Sequence, residues 1–252
     1  MAWDPAQYGR FAGPRLQPGL DLIARLPDAV SGPVVDLGCG NGDLTALLAA
    51  RFGRAEGIDS DPAMLAAARQ RHPTLAFARM AIEDWMATAP GEHGLLFSNA
   101  ALHWVEGHER LFPALLDRLA PGGMLAVQMP RSMVLPSHHL LAEIAAEPEW
   151  DGRAGVRTDW VWAPERYHDL LAPLTARLEI WETEYLHVLT GPDAVFEWVK
   201  GSALTAVRAS LDAAAFARFA ERYREGLRRL YPSRPDGTTL FPFRRLFLLA
   251  GR

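Results

Sequence analysis

Cys39 is the only cysteine in the 252 residues, so the chain can form neither an intrachain disulfide nor a cysteine-based zinc site. Lysine is equally scarce. Lys200 stands alone, and arginine carries the rest of the positive charge. Lys+Arg 26 against Asp+Glu 30 leaves a net charge of -4. Holding a phosphate backbone by charge needs a basic surface, so no nucleic-acid partner is expected. No apolar run reaches the roughly 18 residues of a membrane span. The opening MAWDPAQYGRF lacks a signal-like apolar stretch, so no membrane partner is expected either. The histidines show no metal-ligand spacing, and internal repeats and low-complexity tracts are missing. The expectation is a cytoplasmic protein, monomeric or weakly dimeric, without a metal.

What is present alternates. VVDL at 34–37 is a short apolar run, followed by a glycine-rich loop and the helical TALLAARF. RAEGID at 54–59 reads as a second strand, and Asp61-Pro62 opens the next helix with an acidic cap and a first-turn proline. LAFARM (75–80), GLLFSN (94–99) and MLAVQM (124–129) read as strands three to five, with a helix at 109–119 before the fifth. Strands separated by helices of this length imply parallel βαβ units. Beyond residue 130 the chain is rich in Trp and Pro. ARLEIWETEYLHVL (176–189) reads as a long strand, 193–203 and 212–230 as helices, and RLFLLAG (245–251) as a last strand. The fold class is therefore α/β, with helical insertions after strands five and six capping the carboxyl ends, where open α/β sheets bind ligands. The expected layout is a core with an N-terminal lid segment over 1–130, a cap insertion over 131–175 and a core strand at 176–189. A second helical cap at 190–240 and a final core strand at 241–252 complete it.

The loop VVDLGCGNG (34–42) carries Gly38, Gly40 and Gly42, which let a ligand approach the backbone. The dinucleotide fingerprint Gly-x-Gly-x-x-Gly, counted from Gly38, needs a third glycine where this chain has Asp43. A carboxylate at a helix N-terminus is a poor neighbour for a diphosphate. Asp36 just before the loop suits a cationic ligand tail. Asp59, seventeen residues after Gly42, ends the second strand, where an acid accepts ribose hydroxyls or, alternatively, caps the next helix.

This pattern resembles that of the class I S-adenosylmethionine-dependent methyltransferases. The Asp36–Gly42 loop matches their first motif, Asp59 their ribose-binding acid, NAALHW (99–104) the segment after strand four that flanks the sulfonium, and APGGMLAVQ the strand-five motif. More narrowly, WDPAQYGRF (3–11), SNAALHWV (98–105), AVQMP (126–130), Tyr185-Leu-His187, Glu197-Trp198-Val199 and FRRLFLLA (243–250) are similar to the trans-aconitate methyltransferase family over nearly the whole chain. The resemblance implies a Rossmann-like seven-stranded, mostly parallel sheet in methyltransferase order. It also implies S-adenosylmethionine as cofactor and a carboxylate of a small polycarboxylic acid as acceptor. Cofactor contacts are then implied for Asp36, Gly38, Cys39, Gly40, Asn41, Gly42, Asp59, Ser60, Met64, Ala81, Ile82, Glu83, Asn99 and Ala100. The family's acid for the adenine amino group is here Ala81, with Glu83 or Asp84 as substitutes, and its Arg-Pro after the Trp198 helix is Thr205-Ala206. A different, more hydrophobic acid or hydroxyl substrate, or a non-catalytic sensor of the cofactor, are the other readings.

Candidate substrate contacts are Tyr8, Trp104, Arg131, His138, Tyr185, His187, Trp198 and Arg245. Six have a structural alternative: packing for Tyr8, Trp104 and Trp198, and a solvated face or surface ion pairs for Arg131, His138 and Arg245. Tyr185 and His187 alternate on one strand face, which favours joint function. His103 and His187 are the candidate catalytic histidines. A carboxylate with a reference pKa near 4 is already ionised at neutral pH, so no general base is required of either.

Overall fold

The computed structural model describes residues 12–150, 152–156 and 161–252. Trp3 and Tyr8 lie outside these residues, as does Trp160. Seven strands form one sheet in the order β3-β2-β1-β4-β5-β7-β6. They are β1 (Val34–Leu37), β2 (Glu56–Asp59), β3 (Ala76–Arg79), β4 (His93–Asn99), β5 (Leu119–Pro130), β6 (Arg177–Thr190) and β7 (Thr238–Gly251). The first five are parallel, and β7 runs antiparallel to both β5 and β6. This is the seven-stranded arrangement that the sequence implies.

Helix α1 (Ala12–Ala24) and α2 (Asp43–Phe52) cover one face of the sheet, where Leu22, Leu48, Phe97, Ala126 and Phe247 share a core. Next come α3 (Pro62–Arg71), which Asp61 caps through the Ala63 and Met64 amides, and α4 (Ile82–Thr88). The opposite face buries Ile82 and Trp85 of α4, together with α5 (His108–Leu116) and α7 (Pro164–Leu171) through Phe112, Leu115 and Tyr167. Each such Leu or Phe contributes about 1.5–3 kcal/mol by leaving water. A third core lies under the cap. There α6 (Pro136–Ala145), α8 (Ala194–Val199), α9 (Thr205–Ser210) and α10 (Ala213–Leu230) pack Trp150, Trp198, Phe219 and Tyr223 against Phe241 and Phe243. The helix expected over 193–203 is shorter than its pattern, because α8 ends at Val199 and α9 begins at Thr205.

The strand order reverses between β1 and β4, and a crevice at such a reversal is where open α/β sheets take ligands. The glycine loop leaves β1 and Asn99 ends β4, so both stand at that crevice. Among the described residues no helix is long and apolar enough to cross a membrane.

Candidate active site at the strand reversal

The loop after β1 is held from below. Ser98 Oγ donates to the Leu37 carbonyl at 2.9 Å, and the Gly38 and Cys39 amides both donate to the Ile58 carbonyl at 2.9 Å. The Gly42 amide donates to the Cys39 carbonyl, and the Gly40 amide to Asp59 Oδ2 at 2.9 Å. Four backbone donors of the loop are therefore engaged inside the protein. A diphosphate site would need them free. The start of α2 is already occupied by the Asp43 carboxylate, which is paired with Arg71 and His72.

Gly38 and Gly40 both adopt left-handed backbone, with φ +78° and +55°. A Cβ at Gly38 would lie 2.2 Å from that of Ala101, whereas a Cβ at Gly40 would meet nothing within 4 Å. Gly38 thus serves packing, and Gly40 keeps one side of the loop open. Asp59 accepts from Gly40 through one carboxylate oxygen and from the Asp61 amide at 2.8 Å through the other. The helix after β2 is capped by Asp61, not Asp59, and burial raises the Asp59 carboxyl above the usual range. Asp36 is interior, 1% exposed, and accepts from Thr45 Oγ1 at 2.6 Å. Burial pushes its carboxyl up to about 7, and the Thr45 hydrogen bond opposes that rise. Asp36 therefore braces β1 to α2. Cys39 is buried with its thiol held protonated by desolvation and by Asp36 and Asp59.

Ser60 is exposed just beyond β2, Met64 is buried in the first turn of α3, and Asn41 bonds Asp43 through its side-chain amide. Ala81 precedes α4 and gives it no side-chain cap. Glu83 and Asp84 are exposed in that first turn, where carboxylates suit the helix dipole.

On the far side of the crevice, Asn99 Oδ1 is buried without a hydrogen-bond partner. Ala100 has φ +54°, an uncommon conformation for a residue with a side chain, fixed by its amide bonding the Gln128 carbonyl at 2.9 Å. The next turn holds His103 buried against Trp104, ring centroids 4.7 Å apart.

Register decides which candidates share a face. Gln128 pairs with Asn99 and Phe247, and Arg245 and Tyr185 follow on the same side of the sheet as α1. Arg245 is only 6% exposed and lies over the Phe243 ring at 4.4 Å. The Tyr185 hydroxyl donates to Asp21 Oδ2 at 2.5 Å, fastening α1 to β6, and burial beside Asp21 pushes its phenol further up. His187 and Trp198 stack at 4.5 Å inside the cap core. His187 stands about 13 Å beyond Arg245 along the hairpin, at roughly 3.3 Å per residue. Arg131 stands apart. Its Nε meets Glu182 at 3.0 Å and its Nη1 bonds the Trp162 carbonyl, on the face that carries Met129 and Leu246. His138 lies on α6 with Ser137 Oγ at 3.3 Å, and burial beside His139 pushes its imidazole down to about 4. Asp21 and Gln128 escaped the sequence reading. A lone amide inside the apolar run MLAVQMP was the available signal for Gln128, and nothing local marked Asp21.

Comparison with known proteins decides the family. A methyltransferase-domain family matches residues 34–123. A trans-aconitate 2-methyltransferase of Streptomyces coelicolor is 46% identical, covering 98% of this chain and 86% of that protein. One from Rhizobium meliloti is 42% identical over 100% and 99%. The chain belongs to the trans-aconitate 2-methyltransferase family. Its members are class I methyltransferases dependent on S-adenosylmethionine, and this chain is one of them. A third relative, from Paracidovorax citrulli, is 43% identical over 99% and 98%. Solved structures share the fold. The YcgJ protein of Bacillus subtilis aligns with TM-score 0.60 at 12% identity, covering 93% of this chain and 97% of its own. Haemonchus contortus phosphoethanolamine N-methyltransferase 2 aligns with TM-score 0.54 at 16% identity, over 93% and 52%. The crevice carries groups that the family's cofactor can use: an open glycine, a carboxylate bonded to its amide and, at the end of β4, an unpartnered buried amide oxygen.

Proposed function

We propose that this chain esterifies a carboxylate of a small polycarboxylic acid, trans-aconitate foremost, giving a monomethyl ester. Bound S-adenosylmethionine supplies a methyl group on cationic sulfur, so esterification forms one C–O bond, breaks one C–S bond, leaves the electron pair on sulfur and moves no proton.

The chain's part is to hold and align. Asp59 is assigned to the ribose hydroxyls, with Ser60 and Met64 beside it, and the open side of Gly40 to the methionine tail. The Ile82 amide and the first turn of α4, with Glu83, are assigned to the adenine. Asn99 and Ala100 border the sulfur. The acceptor carboxylate is ionised at neutral pH, so the reaction needs no general base. Alignment and exclusion of water carry the rate.

The observation that supports a carboxylate substrate is Arg245. It is a guanidinium buried to 6% exposure at the end of β5, on the face shared with Asn99. Its planar guanidinium presents paired N–H donors that match a carboxylate, and register puts it on the same side of the sheet as Asn99 and Gln128. The test is a panel of mono-, di- and tricarboxylic acids incubated with protein and S-adenosylmethionine, followed by mass spectrometry. A methyl ester from trans-aconitate and weaker turnover of monocarboxylic acids is expected. No ester from any acid in the panel would end this reading.

A further inference from the structure

Gln128 is fully buried, and neither its Oε1 nor its Nε2 has a hydrogen-bond partner. A buried amide left with nothing to bond is destabilising, so a fold that keeps one usually has a use for it. Its neighbours define that use. Met124 and Ala126 of the same strand face the core under α1, while Leu125, Val127 and Met129 face the other way. By alternation Gln128 looks toward α1. Register places Asn99, itself with an unpartnered buried oxygen, directly beside it. Gly19 of α1 lies against Asn99, since a Cβ there would stand 3.3 Å from Asn99 Cγ. Arg245 follows two residues along β7 from the partner of Gln128, about 7 Å further at strand spacing.

Two neutral amides followed by a buried cation match the charge changes of esterification. The carboxylate that reacts loses its charge. A cation gripping it would stabilise the starting anion more than the transition state, which raises the barrier. A neutral N–H donor orients the same group with less of that penalty. A carboxylate that stays ionised throughout is under no such restriction, and a guanidinium holds it well. Resting on the carboxylate reading above, we propose that Gln128 Nε2, beside Asn99, holds the carboxylate to be esterified while Arg245 holds one that does not react, so that Gln128 determines which carboxyl group receives the methyl.

The test compares wild type with Gln128→Met, which fills the volume without the amide. Trans-aconitate is the probe, and the monomethyl ester isomers are separated chromatographically. Expected are a fall in kcat/KM of about 10- to 100-fold and a rise of at least tenfold in the minor ester. S-adenosylhomocysteine affinity stays within twofold, and Tm is unchanged or higher, because an apolar group replaces an unsatisfied one. Unchanged rate and ester ratio would overturn the proposal. So would a tenfold loss of S-adenosylhomocysteine affinity, which assigns Gln128 to the nucleoside instead. Gln128→Asn, which keeps the amide on a shorter arm, reads the same ester ratio should the Met variant not fold. Wild type that makes no ester defeats the carboxylate reading itself, whereas variants that match an active wild type defeat only the role of Gln128.

Discussion

Alanine at Gly38 and alanine at Gly40 perturb one loop in two different ways. At Gly38 the new methyl would lie 2.2 Å from Ala101 Cβ, against an ordinary carbon contact of about 3.5–4.0 Å. The loop or the turn after β4 has to move by more than an ångström. Overpacking of this kind costs about 1–3 kcal/mol, and left-handed backbone adds about 1–2 kcal/mol for a residue with a side chain. G38A is expected to lose roughly 2–5 kcal/mol, a large part of a stability that is typically about 5–15 kcal/mol. At Gly40 nothing lies within 4 Å of the new carbon, so only the backbone term of about 1–2 kcal/mol applies. The methyl instead enters the space assigned to the methionine tail, and G40A is expected to bind S-adenosylhomocysteine at least 100-fold more weakly. Urea unfolding and isothermal titration of the two variants separate these effects. A G40A protein that binds like wild type, or a G38A protein as stable as wild type, would refute the reasoning.

Four further outcomes are expected. Asp36, with its carboxyl pushed up to about 7 from 3.8, holds a proton in the folded state that the unfolded chain releases between about pH 4 and 7. Its contribution is present below pH 4 and lost as pH rises through 7, on the order of 4 kcal/mol; Asp36→Asn should flatten this decline in urea midpoints, and equal pH slopes would contradict it. Arg245→Met should raise KM for trans-aconitate about 100-fold while S-adenosylhomocysteine binds as before, as steady-state kinetics and calorimetry will read. Tyr185→Phe removes the hydroxyl bond to Asp21 and should cost about 1 kcal/mol in denaturant melts; no loss would mean that α1 is held by other contacts. His103→Ala and His187→Ala should each reduce turnover by less than about 100-fold, and a 10⁴-fold loss rescued at high pH would show base catalysis.

Local chemistry explains what was legible in the sequence. VVDL before three glycines reads as a strand and a positive-φ turn because both signals lie within nine residues. Asp61-Pro62 reads as a helix start because cap and proline are adjacent. Helix α1 was hidden by Gly13, Pro14, Pro18 and Gly19 in its sequence, all poor helix formers. Tertiary contact overrides them, and Gly19 permits the close approach to Leu44 and Asn99. The early part of β7 was obscured by Pro242, which a central strand rejects. β5 pairs with β7 only as far as Arg245, so Pro242 faces no β5 partner and its missing N–H is tolerated. In the site, Asp59 was visible from spacing alone. Arg131 and Arg245 could not be told apart in this way. Register sends Arg245 to the α1 face, while Glu182 and the Trp162 carbonyl hold Arg131 on the other. Asp21 was beyond reach, since its partner Tyr185 is 164 residues away.

The most direct measurement is a crystal structure of the chain with S-adenosylhomocysteine and trans-aconitate. One carboxylate should lie within about 2.7–3.2 Å of the Arg245 guanidinium and another beside Asn99 and Gln128, with the ribose on Asp59. An acid seated on the Arg131 and Glu182 side of the sheet, or a nucleoside absent from the Gly40 crevice, would contradict the account.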